Sequence, residues 1–473
     1  MFFKKKKSIE EINSRAITKN NPFHKKRGMK KSTAPARIIV GSFLVVILVG
    51  MLLLCMPFSS SSGEFTDPLT AMFTATTSTC VTGLVLVDTG SYWSFTGQLI
   101  ILLLVQVGGI GLVTLTTFFV VILRQKLGLG SMVLAQSSTG SSSLQHLYSL
   151  LKIIVISTLA IELVGACLLC IRFIPMMGIF KGIWISLFTA VSAYCNAGLD
   201  LFDGEFTSML AFNSDVLVNL VVMALIIIGG LGFLVFQDLM FYRKRKKLML
   251  HTKIVLLATG GLILLGSGMF FAFEYSNPAT LGKLSLGDKI MASFFQSVST
   301  RTAGFNTVDF ALMRDPTKLV SCLFMFIGAA PGSTGGGVKL TTFIVLIMTV
   351  VATFRNNPET VILKRKVDHS VVYKSMSLIA AGMVIVIGAT AVIVAESNGV
   401  NTIDALFEAT SGFATVGLSS GATLALSTVS KLVMILTMFV GRVGTFSLFM
   451  AMTLRENHRE GKTVLPEGEI MVG

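Results

Sequence analysis

The chain has 473 residues, of which 53% are hydrophobic and only 13% charged, and its mean hydropathy is +0.78. Soluble domains carry about 25% charged residues, so a soluble enzyme is excluded in practice and a polytopic helical membrane protein is expected. The formal net charge of +15 then needs a reason of its own in a chain so short of charge.

A bilayer core takes about 20 apolar residues in helix. The chain opens on a basic tail, 1–37, too long and too charged for a cleavable signal peptide. Ile38–Pro57 follows as the first apolar run, with Ser42 its one polar side chain. Next come Leu99–Leu123, Ile153–Ile171, Leu217–Phe236 and Ile254–Phe273. Leu319–Gly328 and Val338–Val351 read as one span broken by a Gly-rich stretch, and Leu378–Ala395 and Leu432–Met452 complete a set of eight. Cysteines 55, 80, 167, 170, 195 and 322 lie in or beside these runs and suggest neither a zinc site nor a disulfide framework.

Charge placement orients the spans. The tail 1–37 and segments 124–152, 243–253, 355–374 and 453–473 together hold 29 basic and 8 acidic residues, a net of +21. The intervening loops hold 7 basic and 13 acidic residues, a net of −6. Arg301, Lys339 and Arg442 against Glu162, Asp238 and Glu408 lie at membrane depth and cancel. By the positive-inside rule both termini are cytoplasmic.

A fourfold repeat emerges between the spans. FTATTSTCVTGL, FTAVSAYCNAGL, FFQSVSTRTAGF and FEATSGFATVGL each place a phenylalanine (Phe73, Phe188, Phe294, Phe407) ten residues before a glycine (Gly83, Gly198, Gly304, Gly417). The glycines are spaced by 115, 106 and 113 residues. The stretches between are too short and polar to span. They read as re-entrant helices followed by extended backbone, which survives at membrane depth only when buried in protein or lining a water-filled cavity. The expected fold is therefore all-α, with four span–loop–span units around a pseudo-fourfold pore. The units are 38–127, 128–245, 246–356 and 357–455, between a basic N-terminal tail (1–37) and a C-terminal tail (456–473).

A dehydrated cation needs several oxygens at once, and rings of backbone carbonyls supply them. Glycine turns carbonyls inward at least conformational cost. Gly83, Gly198, Gly304 and Gly417 are the candidate cation-coordinating ring, with Val81-Thr82, Asn196-Ala197, Thr302-Ala303 and Thr415-Val416 adding carbonyls. The bland alternative is that the glycines only permit tight turns. Arg301, close to Gly304, is expected to point away from the pore, with Glu408 as a possible partner.

Glycines recur in the second spans, as Gly108-Gly109-Ile-Gly111, Gly229-Gly230-Leu-Gly232 and Gly441-Arg442-Val443-Gly444. In the first two, small-residue helix packing is the default. The third repeat carries GAAPGSTGGGVK (Gly328–Lys339), which cannot hold a regular helix. This stretch, with Gly328, Pro331, Gly332, Ser333, Thr334, Gly335, Gly336 and Gly337, reads as an intramembrane gate; a static kink is the alternative. Ionisable residues inside a membrane default to a functional hypothesis. Arg442 would hold the loop through its carbonyls or repel cations, and Lys339 follows the loop directly.

These motifs (STCVTGL, AYCNAGLDLF, STRTAGFNTVD, SGFATVGLSSG, GAAPGSTGGGVK and GRVG) resemble those of the membrane subunit of Ktr-type bacterial potassium uptake systems, in the Trk/Ktr/HKT superfamily, over residues 38–455. The resemblance implies four M1–P–M2 repeats around one pore and potassium uptake across the plasma membrane, with sodium dependence or symport. It implies K+ bound at Gly83, Gly198, Gly304 and Gly417, potassium being favoured because the first filter position is glycine and not serine. It further implies a gate loop next to Arg442, a homodimer, and a cytoplasmic nucleotide-binding regulatory ring as partner. No G-x4-G-K-[ST] motif is present, so no nucleotide site is expected in this chain. The long basic tail departs from the family pattern and could touch the ring or anionic lipid, or only set orientation.

Two other classes compete. An alternating-access cation-coupled carrier often shows inverted repeats, whereas these run parallel. A membrane enzyme would need a clustered site, and histidines 24, 146, 251, 369 and 458 all fall in cytoplasmic segments. No nucleic-acid partner is indicated. A sodium-permeable relative of the potassium pore stays open as a variant of the main reading.

Overall fold

The structure, a computed structural model, describes residues 35–111, 147–202, 208–397 and 399–445, together with Leu448. Nearly all of the expected N-terminal tail, the inner half of the Leu99–Leu123 run, the head of the second repeat and the C-terminal tail lie outside the described residues.

Each repeat has the same order of elements. Repeat one comprises α1 (Pro35–Cys55), α2 (Pro68–Cys80) and α3 (Phe95–Ile110). Repeat two comprises α4 (Leu147–Met177), α5 (Ile179–Cys195), α6 (Val216–Leu231) and α7 (Phe233–Met240). Repeat three comprises α8 (Leu250–Glu274), α9 (Leu286–Ser299), α10 (Asp315–Phe326) and α11 (Leu340–Phe354). Repeat four comprises α12 (His369–Glu396), α13 (Thr402–Ala414) and α14 (Thr428–Val443). A two-residue antiparallel hairpin, β1 (Val361–Ile362) with β2 (Arg365–Lys366), joins repeats three and four.

The helix starts are written in side chains. Asp67, preceding Pro68, accepts from Thr70 N at 3.0 Å; Ser94 accepts from Gly97 N at 3.2 Å and Ser427 from Ser430 N at 3.1 Å. Each satisfies a backbone donor that the first turn leaves free.

The four first spans are long and apolar enough to cross a bilayer. The second spans are not continuous rods, and this corrects the sequence expectation for three of them. α3 stops at Gly111 (φ +88°), α14 at Gly444 (φ +87°), and α6 at Gly232 (φ +91°), after which α7 leaves at an angle of 98°. In repeat three the gap runs from α10 to α11. Gly108 and Gly229 do mediate the expected close packing, and Gly441 does the same in repeat four: a Cβ there would collide with the carbonyls of Thr79, Tyr194 and Phe413 respectively. The glycine three residues on ends the helix through a backbone conformation that residues with a Cβ rarely adopt.

Packing closes the repeats into a ring. α3 packs on α5, α6 on α9, α10 on α13 and α14 on α2, so every second span leans on the short helix of the next repeat. Phe73, Phe188 and Phe407 are fully buried, as their repeated spacing suggests. In repeat three the fully buried ring is Phe295, while Phe294 is only partly buried. The reason is a shorter exit turn. Ala303 N donates to Ser299 O four residues back, where Thr82, Ala197 and Val416 donate to Thr77, Ser192 and Ser411 five back.

Candidate ion pathway

The four short helices end where the repeated glycines begin. Val81 (φ +56°), Asn196 (+61°) and Thr415 (+50°) cap α2, α5 and α13 in the left-handed region, and Thr302 (+66°) takes that place after α9. Two residues on, Gly83, Gly198, Gly304 and Gly417 have φ of +99°, +66°, +81° and +91°. The glycines meet in cyclic order. A Cβ on Gly83 would strike Ala197 O, and one on Gly417 would strike Thr82 O. On Gly198 it would lie 2.8 Å from Ala303 O, and on Gly304 2.6 Å from Val416 O. The carbonyls of Thr82, Ala197, Ala303 and Val416 thus sit one beside each glycine of the neighbouring repeat. Among the described residues no donor reaches these four oxygens. The negative ends of four helix dipoles lead into the same place. Carbonyl oxygens gathered at helix C-termini are the kind of donors a dehydrated cation requires.

Side chains brace this ring from behind. Gly83 N donates to Thr77 Oγ1 at 3.0 Å, Leu199 N to Ser192 Oγ at 3.0 Å and Gly417 N to Ser411 Oγ at 3.1 Å. In repeat three Ser299 instead donates to Phe305 O. Arg301 does point away from the ring, but it does not pair with Glu408. It donates to Thr259 Oγ1 of α8 at 3.2 Å. Glu408 is fully buried and accepts from Ser419 Oγ (2.6 Å), Ser420 N (3.0 Å) and Thr423 Oγ1 (2.6 Å). Two hydroxyls and an amide outbid a cation one repeat away. Glu408 therefore pins the segment leaving the fourth loop. Glu408→Ala strands those donors, each at about 1–3 kcal/mol, and is expected to lower the thermal midpoint of the detergent-solubilised protein by several degrees. An unchanged midpoint would remove the bracing role.

Outside the ring lies an open vestibule of about 340 Å³ that exposes all four glycines along with Asp88, Asp200 and Asn306. Asp200 accepts from Met209 N at 3.3 Å. Burial pushes its carboxyl up to about 7, the Met209 bond opposes the rise, and the Asp88 carboxylate adds to it.

Directly inside the ring runs the chain from Gly328 to Lys339. Gly328 N donates to Val338 O at 2.8 Å, which closes the segment into a loop. The loop then docks on the broken end of α6: Ala330 N donates to Gly230 O (3.1 Å), Thr334 N to Gly229 O (3.4 Å), and Phe233 N returns to Gly332 O (2.8 Å). Thr334 Oγ1 donates to Tyr194 O at 3.2 Å, at the exit of α5. Gly335 lies against Thr302 Oγ1 and Gly336 against Thr415 Oγ1, each so close that a Cβ would collide. Ser333 Oγ donates to Ala330 O at 2.6 Å, and Lys339 Nζ to Gly335 O at 2.6 Å. The Arg442 guanidinium donates to Thr334 O of the loop and to Gly108 O at the end of α3, with Gly109 O at 3.5 Å. Of the expected gate residues, Gly337 and Gly332 are at positive φ (+68° each), and Pro331 is half-buried with its carbonyl against Gly232.

The structure brings the four glycines into contact with one another and sets the loop Gly328–Lys339, with Arg442, against the residues beside them. The docking partners were missed: Gly229, Gly230, Tyr194 and Gly108, all through backbone oxygens. The GGxG triplets carried the signal, since a helix-ending third glycine frees the carbonyls before it.

Comparison with known proteins identifies the family and the fold. The sequence pattern of the TrkH family, described as cation transport protein, matches residues 5–459. The chain is 40% identical over 447 residues to Ktr system potassium uptake protein B of Bacillus subtilis (strain 168), covering 93% of this chain and 97% of that protein. It is 34% identical over 453 residues to potassium/sodium uptake protein NtpJ of Enterococcus hirae, covering 95% and 99%. The crystal structure of the potassium transporter TrkH from Vibrio parahaemolyticus superposes with a TM-score of 0.68 at 17% identity, over 90% of this chain and 86% of that one. The chain belongs to the TrkH family of cation transport proteins.

Proposed function

We propose that the chain is the membrane subunit of a potassium uptake system, and that K+ crosses through the carbonyl ring at Gly83, Gly198, Gly304 and Gly417. The observation that carries this reading is the cyclic contact of the four glycines, each beside a free carbonyl of the next repeat. The names of the relatives, potassium uptake protein B and potassium/sodium uptake protein, agree with K+ as cargo and with sodium involvement. On this reading the loop Gly328–Val338 is the gate, held closed by Arg442 and Lys339, and the chain sits in the plasma membrane with both termini cytoplasmic. It works as a homodimer on a cytoplasmic nucleotide-binding ring, which would meet the basic inner face. Parallel repeats with a continuous axis favour a gated pore over an alternating-access carrier.

Expression in a potassium-uptake-deficient bacterium tests the reading. Growth on limiting potassium is expected, stronger with a cytoplasmic ring partner co-expressed. Gly83→Ser places an oxygen-bearing side chain against Ala197 O and is expected to raise the half-saturating potassium concentration and make uptake sodium-sensitive. Absence of growth with and without the partner, together with no effect of Gly83→Ser, rejects the function.

A further inference from the structure

The second span of repeat two ends in a shelf. α7 leaves α6 at 98°, so with α6 crossing the bilayer α7 runs nearly along the membrane plane. Part of the shelf belongs to the core: Phe233, Val235 and Asp238 are buried. Val235 packs with Ala330 of the loop and Val255 of α8, and Phe233 N donates to Gly332 O at 2.8 Å. Asp238 Oδ2 accepts from Met249 N at 2.9 Å, which ties the end of α7 to the start of α8. Between these two anchors the sequence reads LMFYRKRKKL. Arg243–Lys247 is a run of five basic residues, and no acidic residue follows Asp238 until Glu274. Arg243, Lys246 and Lys247 are exposed, and none of them forms an ion pair among the described residues.

The charges do not stand alone. Leu239, Met240, Tyr242 and Met249 are exposed as well. A basic run that only orients the chain, or that meets a water-soluble partner, gains nothing from bare apolar side chains around it. A membrane surface uses both kinds. Apolar and aromatic side chains of an in-plane segment enter the boundary between headgroups and acyl chains, and the lysines and arginines beside them meet the lipid phosphates.

We propose that α7 and the turn after it, Met240–Met249, form an in-plane anchor that binds anionic phospholipid headgroups of the inner leaflet through Arg243, Lys246 and Lys247, and that this anchor keeps the loop of repeat three seated. The inference rests on the proposed orientation and gate, and adds to them a ligand and a route. The route is short, because the Phe233–Gly332 bond and the Val235–Ala330 packing join the shelf to the loop directly. Holding α7 in the membrane plane holds the loop's partner in place.

The purified full chain is titrated with phosphatidylglycerol in mixed micelles, with the thermal midpoint as readout. Phosphatidylglycerol is expected to raise the midpoint and phosphatidylcholine to leave it unchanged, with the rise shrinking as salt is added. Each basic residue near an anionic surface counts about fivefold, so Arg243→Gln/Lys246→Gln/Lys247→Gln is expected to weaken the response on the order of a hundredfold. Arg355→Gln/Lys364→Gln/Arg365→Gln removes the same charge from exposed positions of another basic segment and is expected to respond as the parent does. Glycerol phosphate, which has the phosphate but no acyl chains, is expected to be inert. In phosphatidylcholine vesicles, adding phosphatidylglycerol is expected to lower rubidium influx through the parent and not through the Arg243/Lys246/Lys247 variant. A variant that responds to phosphatidylglycerol like the parent overturns the lipid site, and so does equal stabilisation by glycerol phosphate. If the variant keeps the lipid response and loses stimulation by a cytoplasmic ring partner, the segment is a protein-docking surface and the inference falls. Influx through the parent that ignores phosphatidylglycerol overturns the link to the loop. Arg442→Ala in the same vesicles separates the two readings: raised basal influx there, without any lipid response in the parent, leaves the gate standing and removes only the anchor.

Discussion

Gly417→Ala is expected to cut potassium influx on the order of a hundredfold at equal membrane abundance, although it adds a single methyl group. The φ of +91° at Gly417 is disfavoured for a residue with a Cβ by about 1–2 kcal/mol. The methyl would also point at Thr82 O and lie 2.8 Å from Gly83 Cα. Both are backbone atoms of the neighbouring repeat, so no rotamer change relieves the contact and the ring must open. Strain and displacement together amount to about 3 kcal/mol, and a tenfold change in binding corresponds to about 1.4 kcal/mol. Gly388→Ala is the matched control. Gly388 has no atom within 4 Å of its would-be Cβ and an ordinary φ, and the same methyl there is expected to leave influx unchanged. Equal influx in the two variants would mean that the loop glycines are mere turn formers.

The second large effect is expected from Arg442→Ala, in the opposite direction. One guanidinium ties the loop of repeat three to the end of α3 in repeat one, through Thr334 O and Gly108 O. Hydrogen bonds from a charged donor contribute about 1.5–3 kcal/mol each. If the loop is the proposed gate, removing this clamp shifts its closed–open equilibrium by at least about tenfold toward open. Basal influx without any cytoplasmic partner is the measurement, and it should rise; Lys339→Ala, which loses a bond made within the loop, should raise it less. Deleting Gly328–Val338 removes the obstruction itself and is expected to exceed both. Lower or unchanged influx in well-expressed Arg442→Ala and in the deletion would show that the loop is a fixed part of the wall.

The fourfold plan and the ring glycines were legible because each repeat states them locally: a phenylalanine, a Ser/Thr-rich stretch and a glycine between two apolar runs. Four statements at near-constant spacing leave few other arrangements. The break at Gly328–Lys339 was legible for the same local reason, since no helix accommodates its glycines. What could not be read depended on which surfaces meet. Glu408 and Arg301 are opposite charges close to the axis, yet local hydroxyls satisfy the first and Thr259 the second. The breaks after Ile110, Leu231 and Val443 hid inside runs of unbroken hydropathy, because hydropathy reports solvent preference and not φ. The one-residue offset of Phe295 was invisible to a spacing count anchored on Phe294, which is itself a phenylalanine.

The interruption of all four second spans at a common level separates the molecule mechanically. Above that level each span is wedged against the next repeat's short helix, and the wedges close on themselves, so a load on one is shared by four. At Gly232 the chain turns by 98° from α6 into α7, and Gly111 and Gly444 end α3 and α14 at the same kind of positive φ. On the pore reading, a pull on α7 would be taken up at the Gly232 bend before it reached the glycine ring. The loop is the exception: it is stitched to α6, α5 and Arg442 at once. On the proposed reading, ion discrimination at the ring and throughput at the loop can therefore be altered independently.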